Sequence, residues 1–123
     1  MIKHIAVTSQ NQRHITGHAG KCRKFWLYEI DGGRVCNKRL LELPPGASLH
    51  DQRHALAPAL ADIDVLICGG MGGNLYERLM LRGIRPVITI EQQPDDAVRA
   101  LLANQLANYP PHPSAHAHHA THI

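Results

Sequence analysis

The feature that most constrains this fold is an apolar run that leads directly into a loop made almost entirely of glycine. Residues 63–68 read Ile-Asp-Val-Leu-Ile-Cys, a short run typical of a buried strand. Residues 69–73, the glycine loop, read Gly-Gly-Met-Gly-Gly. We expect a helix after this loop, capped at its start by Asn74 and Glu77 and ended by Gly83. Strand, glycine loop and helix in this order indicate an α/β protein.

Other segments complete the predicted sheet. Residues 3–8 and 86–90 are rich in Ile and Val and predict two more buried strands. Residues 24–30 and 34–43 flank the Asp-Gly-Gly turn at 31–33 and predict a hairpin.

Two further segments bear on the helices. Pro94 opens a helix whose apolar face comprises Val98, Leu101, Leu102 and Leu106. Residues 48–60 are ambiguous, because Pro58 interrupts any long helix there. The order predicts an α/β fold with a mixed five-stranded sheet, a hairpin plus βαβα, and flanking helices, all in one domain over residues 1–109.

Composition excludes several classes of protein. The 123 residues suffice for one domain. The net charge of +3 is carried by scattered basic residues, so we expect no nucleic-acid partner. No apolar run approaches the roughly 20 residues of a membrane span, and no signal peptide is evident, so we expect a cytoplasmic protein without membrane contact. The three cysteines include no Cys-x-x-Cys pair, which favours free thiols or metal thiolates over disulfides.

Ten histidines are many for this length, and five of them lie in the last dozen residues. Residues 110–123 alternate histidine with small residues and proline, a composition that predicts a flexible His-rich tail. Its candidate ligands for a divalent transition metal are His116, His118 and His119.

A second group of candidate ligands lies within the domain. His18 and Cys22, in a segment with two glycines, are placed to hold one metal centre, and Lys21 and Arg23 are expected to lower the thiol pKa. A surface histidine and a half-buried cysteine explain the same residues as well.

Two further candidates are His50 and His54, which share one face if their segment is helical. The Glu of a His-Glu-x-x-His motif is missing between them, which excludes that class of metalloprotease. Cys36 alternates within a strand, and we interpret it as a packing residue.

The glycine loop has two interpretations. It is either a tight turn with close packing or an anion-binding loop at a helix N-terminus. It matches neither a Walker A loop nor the dinucleotide-binding fingerprint. No nucleophile elbow is present, and Asp64 is the single acid in a predicted core strand, so we expect no enzyme activity.

Several segments together resemble a known family. Residues 5–11, 17–25, 62–72 and 81–84 match, in order and spacing, the dinitrogenase iron–molybdenum cofactor biosynthesis family, and the likeness covers about residues 3–107. That family includes the NifX- and NafY-type carriers, the C-terminal domain of NifB-type proteins and the orange protein. The resemblance implies a ribonuclease H-like fold without nuclease residues.

The resemblance also implies a function. It points to a non-enzymatic carrier of an iron–sulfur or molybdenum-containing cluster, in nitrogenase cofactor biosynthesis or a related pathway. His18 is the residue that matches as a cluster contact, whereas the ligand role of Cys22 is our inference. The predicted cluster-binding residues are His18, Cys22, Gly69, Gly70, Met71, Gly72 and Gly73, with His50 or His54 closing over the cluster.

An alternative hypothesis is a regulatory or assembly-interaction domain. It would bind nitrogenase or a cofactor-assembly protein and leave metal to the tail. A third hypothesis, a nucleic-acid-processing enzyme, has only fold analogy behind it.

Overall fold

A computed structural model describes residues 1–49 and 56–112. These residues form a sheet of five strands: β1 (His4–Thr8), β2 (Lys24–Asp31), β3 (Arg34–Glu42), β4 (Val65–Cys68) and β5 (Arg85–Ile88). They also form three α-helices and one 3₁₀ turn: α1 (Pro58–Ala61), α2 (Gly73–Leu81), α3 (Pro94–Leu102) and the turn Ala19–Lys21.

The sheet is mixed, with the strand order β3-β2-β1-β4-β5. β1 and β2 are antiparallel, as are β2 and β3, whereas β1, β4 and β5 are mutually parallel. The predicted α/β fold with a mixed five-stranded sheet is therefore confirmed. The chain leaves β1 toward one edge of the sheet and leaves β4 toward the other. The crevice beyond the carboxyl ends of these two strands is where α/β sheets usually bind ligands.

Helices cover the two faces of the central strands. Ala6 of β1 belongs to a core cluster that includes Leu75 and Leu79 of α2. Its neighbours Ile5 and Val7 belong to the other cluster, which α3 completes with Ala97, Val98 and Leu101. This alternation follows from the two-residue period of a strand, whose side chains point to opposite faces. Within the described ranges, none of the helices is both long and apolar enough to cross a membrane.

The start of α2 differs from the prediction. Gly72, in an extended conformation (φ −75°, ψ 159°), is the N-cap residue, so Asn74 lies inside the helix and no side chain caps it. The predicted capping box is therefore wrong. The predicted end of α2 is confirmed, since Gly83 follows the helix with a φ of +78°.

Asp64 and Cys36 also differ from the predictions. Asp64 precedes β4, and its Oδ2 accepts hydrogen bonds from the backbone N–H groups of Lys3 (2.7 Å) and His4 (2.9 Å). Cys36 is exposed on β3, an edge strand whose residues 34–40 are all exposed. Its interpretation as a packing residue is wrong.

Candidate functional site

Two loops meet beyond the carboxyl ends of β1 and β4. One is the glycine loop, and the other comprises residues 16–22 and is called the His18 loop. The backbone N–H of Gly69 donates to the carbonyl oxygen of Thr16 at 2.8 Å. The N–H of Ala19 donates to the carbonyl oxygen of Gly70 at 2.9 Å. The two loops are thus joined through main-chain atoms, and their spacing does not depend on side-chain rotamers.

The close approach requires glycine at two positions. A Cβ on Gly70 would lie 2.5 Å from the carbonyl oxygen of Gly17 and 2.9 Å from His112 Nε2. A Cβ on Gly69 would lie 3.0 Å from the carbonyl oxygen of Thr16. The close-packing interpretation of the loop is confirmed for these two glycines, and anion binding stays a prediction.

A third segment, residues 108–112, crosses this region after α3 and is called the C-terminal strap. Asn108 Oδ1 accepts a hydrogen bond from the N–H of Ile88 (2.9 Å), and the N–H of Tyr109 donates to the Ile88 carbonyl (2.8 Å). Both backbone polar groups of His112 are bonded to the glycine loop. Its N–H donates to the Met71 carbonyl oxygen (2.8 Å), and its carbonyl oxygen accepts from the N–H of Gly73 (2.9 Å). The strap therefore fastens the chain to β5 and to the glycine loop.

The strap bears on the predicted tail of residues 110–123. Its first residues, 110–112, belong to a segment hydrogen-bonded to the domain. The domain boundary at 109 and the flexibility of residues 113–123, which lie outside the described residues, stay predictions.

The two loops and the strap bring two imidazoles together. The ring centroids of His18 and His112 are 6.5 Å apart, with an angle of 40° between the ring planes. Both residues are exposed. A groove of about 220 Å³ opens beside His18, and its lining comprises His18, Ala19, Gly20, Lys21, Met71 and Gly72. Thus the structure brings His18 into one groove with Met71 and Gly72, and their role in cluster binding stays a prediction.

Cys22 lies beneath this groove. Its side chain is buried, and the thiol donates to the carbonyl oxygen of Lys24 (3.0 Å) and contacts Thr16 Oγ1 (3.7 Å). Burial raises the pKa of the Cys22 thiol, and these hydrogen bonds offset the rise only in part. The expected lowering of the thiol pKa by Lys21 and Arg23 is therefore wrong, because loss of solvation dominates and the groups that lower the pKa are hydrogen-bonding partners of the thiol. A ligand role for Cys22 stays a prediction.

Cys68, the last residue of β4, is also buried. Loss of solvation raises its pKa from 9.0 to about 12. Thiols with such pKa values are protonated at neutral pH and are inert compared with reactive cysteines.

The remaining predicted ligands lie outside the described residues: His50, His54, His116, His118 and His119. Among the residues that the structure describes, no group of three His, Cys, Asp or Glu side chains is arranged to hold a metal ion. The described groove therefore supplies fewer protein ligands than a closed structural metal site, which has four.

Sequence reasoning missed His112 as part of the site, because it counted this residue with the tail. One signal was present. Pro110 and Pro111 precede it, and successive prolines favour an extended backbone suited to a strand-like strap. The partners of the strap are main-chain groups, which leave no mark in the sequence.

Comparison with known proteins places these features in context. The model of the dinitrogenase iron-molybdenum cofactor family matches residues 1–104. The NifY protein of Azotobacter vinelandii is 31% identical over 110 residues, which is 87% of this chain and 44% of that protein. The NifY protein of Klebsiella pneumoniae is 31% identical over 108 residues, 82% of this chain and 46% of that protein. The chain thus spans less than half the length of these relatives.

Solved structures share the fold. The crystal structure of MJ0327 from Methanocaldococcus jannaschii superposes with a TM-score of 0.70 at 12% identity, over 90% of this chain and 98% of that one. The apo form of the orange protein from Desulfovibrio gigas gives 0.67 at 19% identity, over 90% and 96%. At these identities the likeness shows the fold alone.

Proposed function

The chain belongs to the dinitrogenase iron-molybdenum cofactor family, and from that premise we propose that it is a non-enzymatic carrier of a metal cluster. The family connects the chain with nitrogen fixation and with iron–molybdenum cofactor biosynthesis. The cargo of the proposal is an iron–sulfur or molybdenum-containing cluster, in that pathway or a related one. We also propose that the fold is ribonuclease H-like and that the protein is cytoplasmic.

One observation carries the proposal: the exposed imidazole of His18 lies in a groove at the point where the chain leaves β1 and β4 in opposite directions. Ligands of α/β sheets are usually bound at this point. Imidazole is a ligand for iron and copper, among other metals. An open groove with few protein ligands also suits cargo that has to be both accepted and released.

The surroundings of His18 suit an anionic cluster. Lys21 lines the same groove and adds a positive charge. The glycine loop precedes the N-terminus of α2, and the positive end of a helix dipole favours negative charge. Met71 and Gly72 line the groove without a charged or hydrogen-bonding side chain, so the cargo can approach the main chain there.

The role proposed for Cys22 is conditional on a rearrangement. Its buried thiol is bonded to the Lys24 carbonyl, so it reaches cargo only by giving up that bond. His18 is therefore the first ligand in the proposal, and Cys22→Ser tests a secondary contribution.

A carrier without catalysis also agrees with the position of Asp64. Its carboxylate accepts from the backbone of Lys3 and His4, near the start of β4, whereas the groove lies beyond the carboxyl end of that strand. This acid therefore has a structural role.

The test is anaerobic loading of the full chain with isolated iron-molybdenum cofactor. Bound iron and molybdenum per chain and the visible absorption are measured for the wild type, His18→Ala and His4→Ala. His4 is the matched control, because it is an exposed histidine at the start of β1. We expect the His18 variant to lose about 10-fold or more in affinity and the His4 variant to match the wild type. A wild type that binds no cofactor, or an unchanged His18 variant, contradicts the proposal.

The alternative, an interaction domain for nitrogenase or a cofactor-assembly protein, has one observation in its favour. β3 is an edge strand whose residues 34–40 are exposed, including the apolar Val35 and Leu40. Free edges of this kind accept a strand from a partner. The interaction-domain hypothesis predicts that binding to isolated dinitrogenase survives His18→Ala and is lost in Val35→Lys. Binding that is lost in His18→Ala and survives Val35→Lys favours the carrier.

A further inference from the structure

We infer that His112 is a second imidazole donor to the cargo of the His18 groove. The inference rests on the proposed function and extends it. The carrier would hold its cluster between His18, which lines the groove, and His112, whose ring centroid lies 6.5 Å from that of His18.

The main chain fixes the position of His112. Both its N–H and its carbonyl oxygen are bonded to the glycine loop, at 2.8 Å and 2.9 Å. Tyr109 and Asn108 anchor the strap to Ile88. These bonds use the backbone of residue 112, so they hold the strap in place whatever side chain that residue carries. The main-chain bonds of residue 112 therefore do not depend on its imidazole, whose Nε2 lies beside Gly70.

The distance between the rings suits shared metal binding. With metal–nitrogen bonds of about 2.0–2.1 Å, two imidazoles on one tetrahedral ion have ring centroids about 5 Å apart, and about 6.4 Å when they lie on opposite sides of the metal. The observed separation of 6.5 Å therefore matches two imidazoles on opposite sides of the metal. A cluster with several metal atoms tolerates a wider spacing, since each ring can bind a different metal. The spacing of the two rings thus suits cargo that is bound from opposite sides, including a cluster with several metal atoms.

His112 also lies outside the stretch of residues 1–104 that the family model matches. The donor therefore comes from the part of the chain that follows the family domain. Four more histidines come within the next ten residues of the sequence: His116, His118, His119 and His122.

The first experiment uses Cu²⁺ as the probe on the full chain. His116, His118, His119 and His122 are replaced by alanine in the parent, so that their imidazoles do not bind the probe. The compared variants are His112→Phe, which keeps the ring and removes its nitrogens, His18→Ala, and His4→Ala as the control. The readouts are the number of imidazole nitrogens on copper, from electron paramagnetic resonance, and the dissociation constant.

We expect two coordinated imidazoles in the parent and in the His4 variant. His112→Phe and His18→Ala should each retain one and bind copper about 10- to 100-fold more weakly. His112→Phe should unfold at the parent temperature, because its main-chain bonds persist. Two coordinated imidazoles and an affinity within about twofold of the parent in His112→Phe would overturn the inference.

The second experiment separates this inference from the proposed function. The same proteins are loaded with isolated iron-molybdenum cofactor, and its release is followed by absorption. Faster release from His112→Phe than from the parent, by about 10-fold, supports the second donor. Equal release, with weaker binding in His18→Ala, overturns the second donor and leaves the carrier standing. A parent that binds no cofactor overturns the carrier, and with it the second donor.

Discussion

The backbone of Gly70 packs against that of Gly17 so closely that a Cβ on Gly70 would lie 2.5 Å from the Gly17 carbonyl oxygen. Two loops that are far apart in the sequence are thus in main-chain contact beneath the groove. The space between them accommodates hydrogen atoms and nothing larger, so the contact is sensitive to a single methyl group.

We predict that Gly70→Ala destabilises the protein by about 1–3 kcal/mol, because backbone atoms have to move to admit the methyl group. Gly17→Ala is the matched control on the facing loop. A Cβ there meets nothing within 4 Å, and the expected change is within about 0.5 kcal/mol. Urea denaturation measures both values. Equal losses in the two variants would contradict the packing described.

The buried thiols make stability depend on pH in the alkaline range. Burial raises the pKa of Cys68 from 9.0 to about 12. Between these values the folded protein keeps a proton that the unfolded chain releases. The resulting stability is therefore complete below pH 9 and is lost as the pH rises through that window.

We predict that the free energy of unfolding falls above about pH 9, by at most about 1.4 kcal/mol per pH unit for each such thiol. Cys68→Ala should reduce this slope, whereas Cys36→Ala, at an exposed thiol, should leave it unchanged. Urea denaturation at several alkaline pH values gives the slopes. A Cys68 variant with the wild-type slope would show that this thiol titrates alike in both states.

A third prediction concerns two neighbouring acids in the first turn of α3. Asp95 Oδ1 accepts hydrogen bonds from the buried Tyr28 hydroxyl (2.6 Å) and from Lys38 Nζ (2.8 Å). Asp95→Ala leaves the Tyr28 hydroxyl without this acceptor and should cost about 1–2 kcal/mol. Asp96 pairs with the exposed Arg99, so Asp96→Ala should cost about 0.5 kcal/mol or less.

Because both acids lie in the same helical turn, their interactions with the helix dipole are similar and largely cancel in the comparison. Thermal or urea denaturation at neutral pH measures the loss of stability in each of the two variants. Equal costs for the two substitutions would exclude a special role for the Tyr28–Asp95 hydrogen bond.

The fourth prediction concerns the proposed metal binding by the C-terminal histidines. Replacing His116, His118 and His119 with alanine should lower the number of Ni²⁺ ions bound per chain, because imidazole is a good ligand for nickel. Loading with isolated iron-molybdenum cofactor should stay at the wild-type level. Isothermal titration calorimetry and metal analysis measure the two quantities. Loss of both together would place the tail and the groove in one site.

The sheet was predictable because its strands carry strong local signals. The runs over residues 3–8 and 63–68 are apolar and short, and the Asp-Gly-Gly turn joins two strand-like segments. The order of elements, a hairpin followed by βαβα, then indicated a mixed five-stranded sheet, whereas the order of its strands is known from the structure. Cys36 was misjudged because alternation along a strand does not show whether a helix covers that part of the sheet.

The details of the site were less predictable because they depend on contacts between distant segments. Asn74 has the side chain of a good N-cap residue, yet the chain places Gly72 there and bonds Gly73 to His112. The pKa of Cys22 is raised by burial and lowered in part by hydrogen bonds to the thiol, and neither effect is visible in the neighbouring Lys21 and Arg23 of the sequence. His18 was found through family resemblance, whereas the strap is held mostly by main-chain bonds, which leave no pattern in the sequence, and by the Asn108 side chain.

The distance along the chain between His18 and His112 has a consequence for protein synthesis. His18 comes from the first fifth of the sequence, whereas His112 belongs to the last segment that the structure describes. A nascent chain folds from its N-terminus as it emerges from the ribosome, so it can form the His18 loop early but lacks His112 until α3 and the C-terminal strap have been synthesised. The two imidazoles are therefore brought together only after the rest of the described sheet and its helices have emerged.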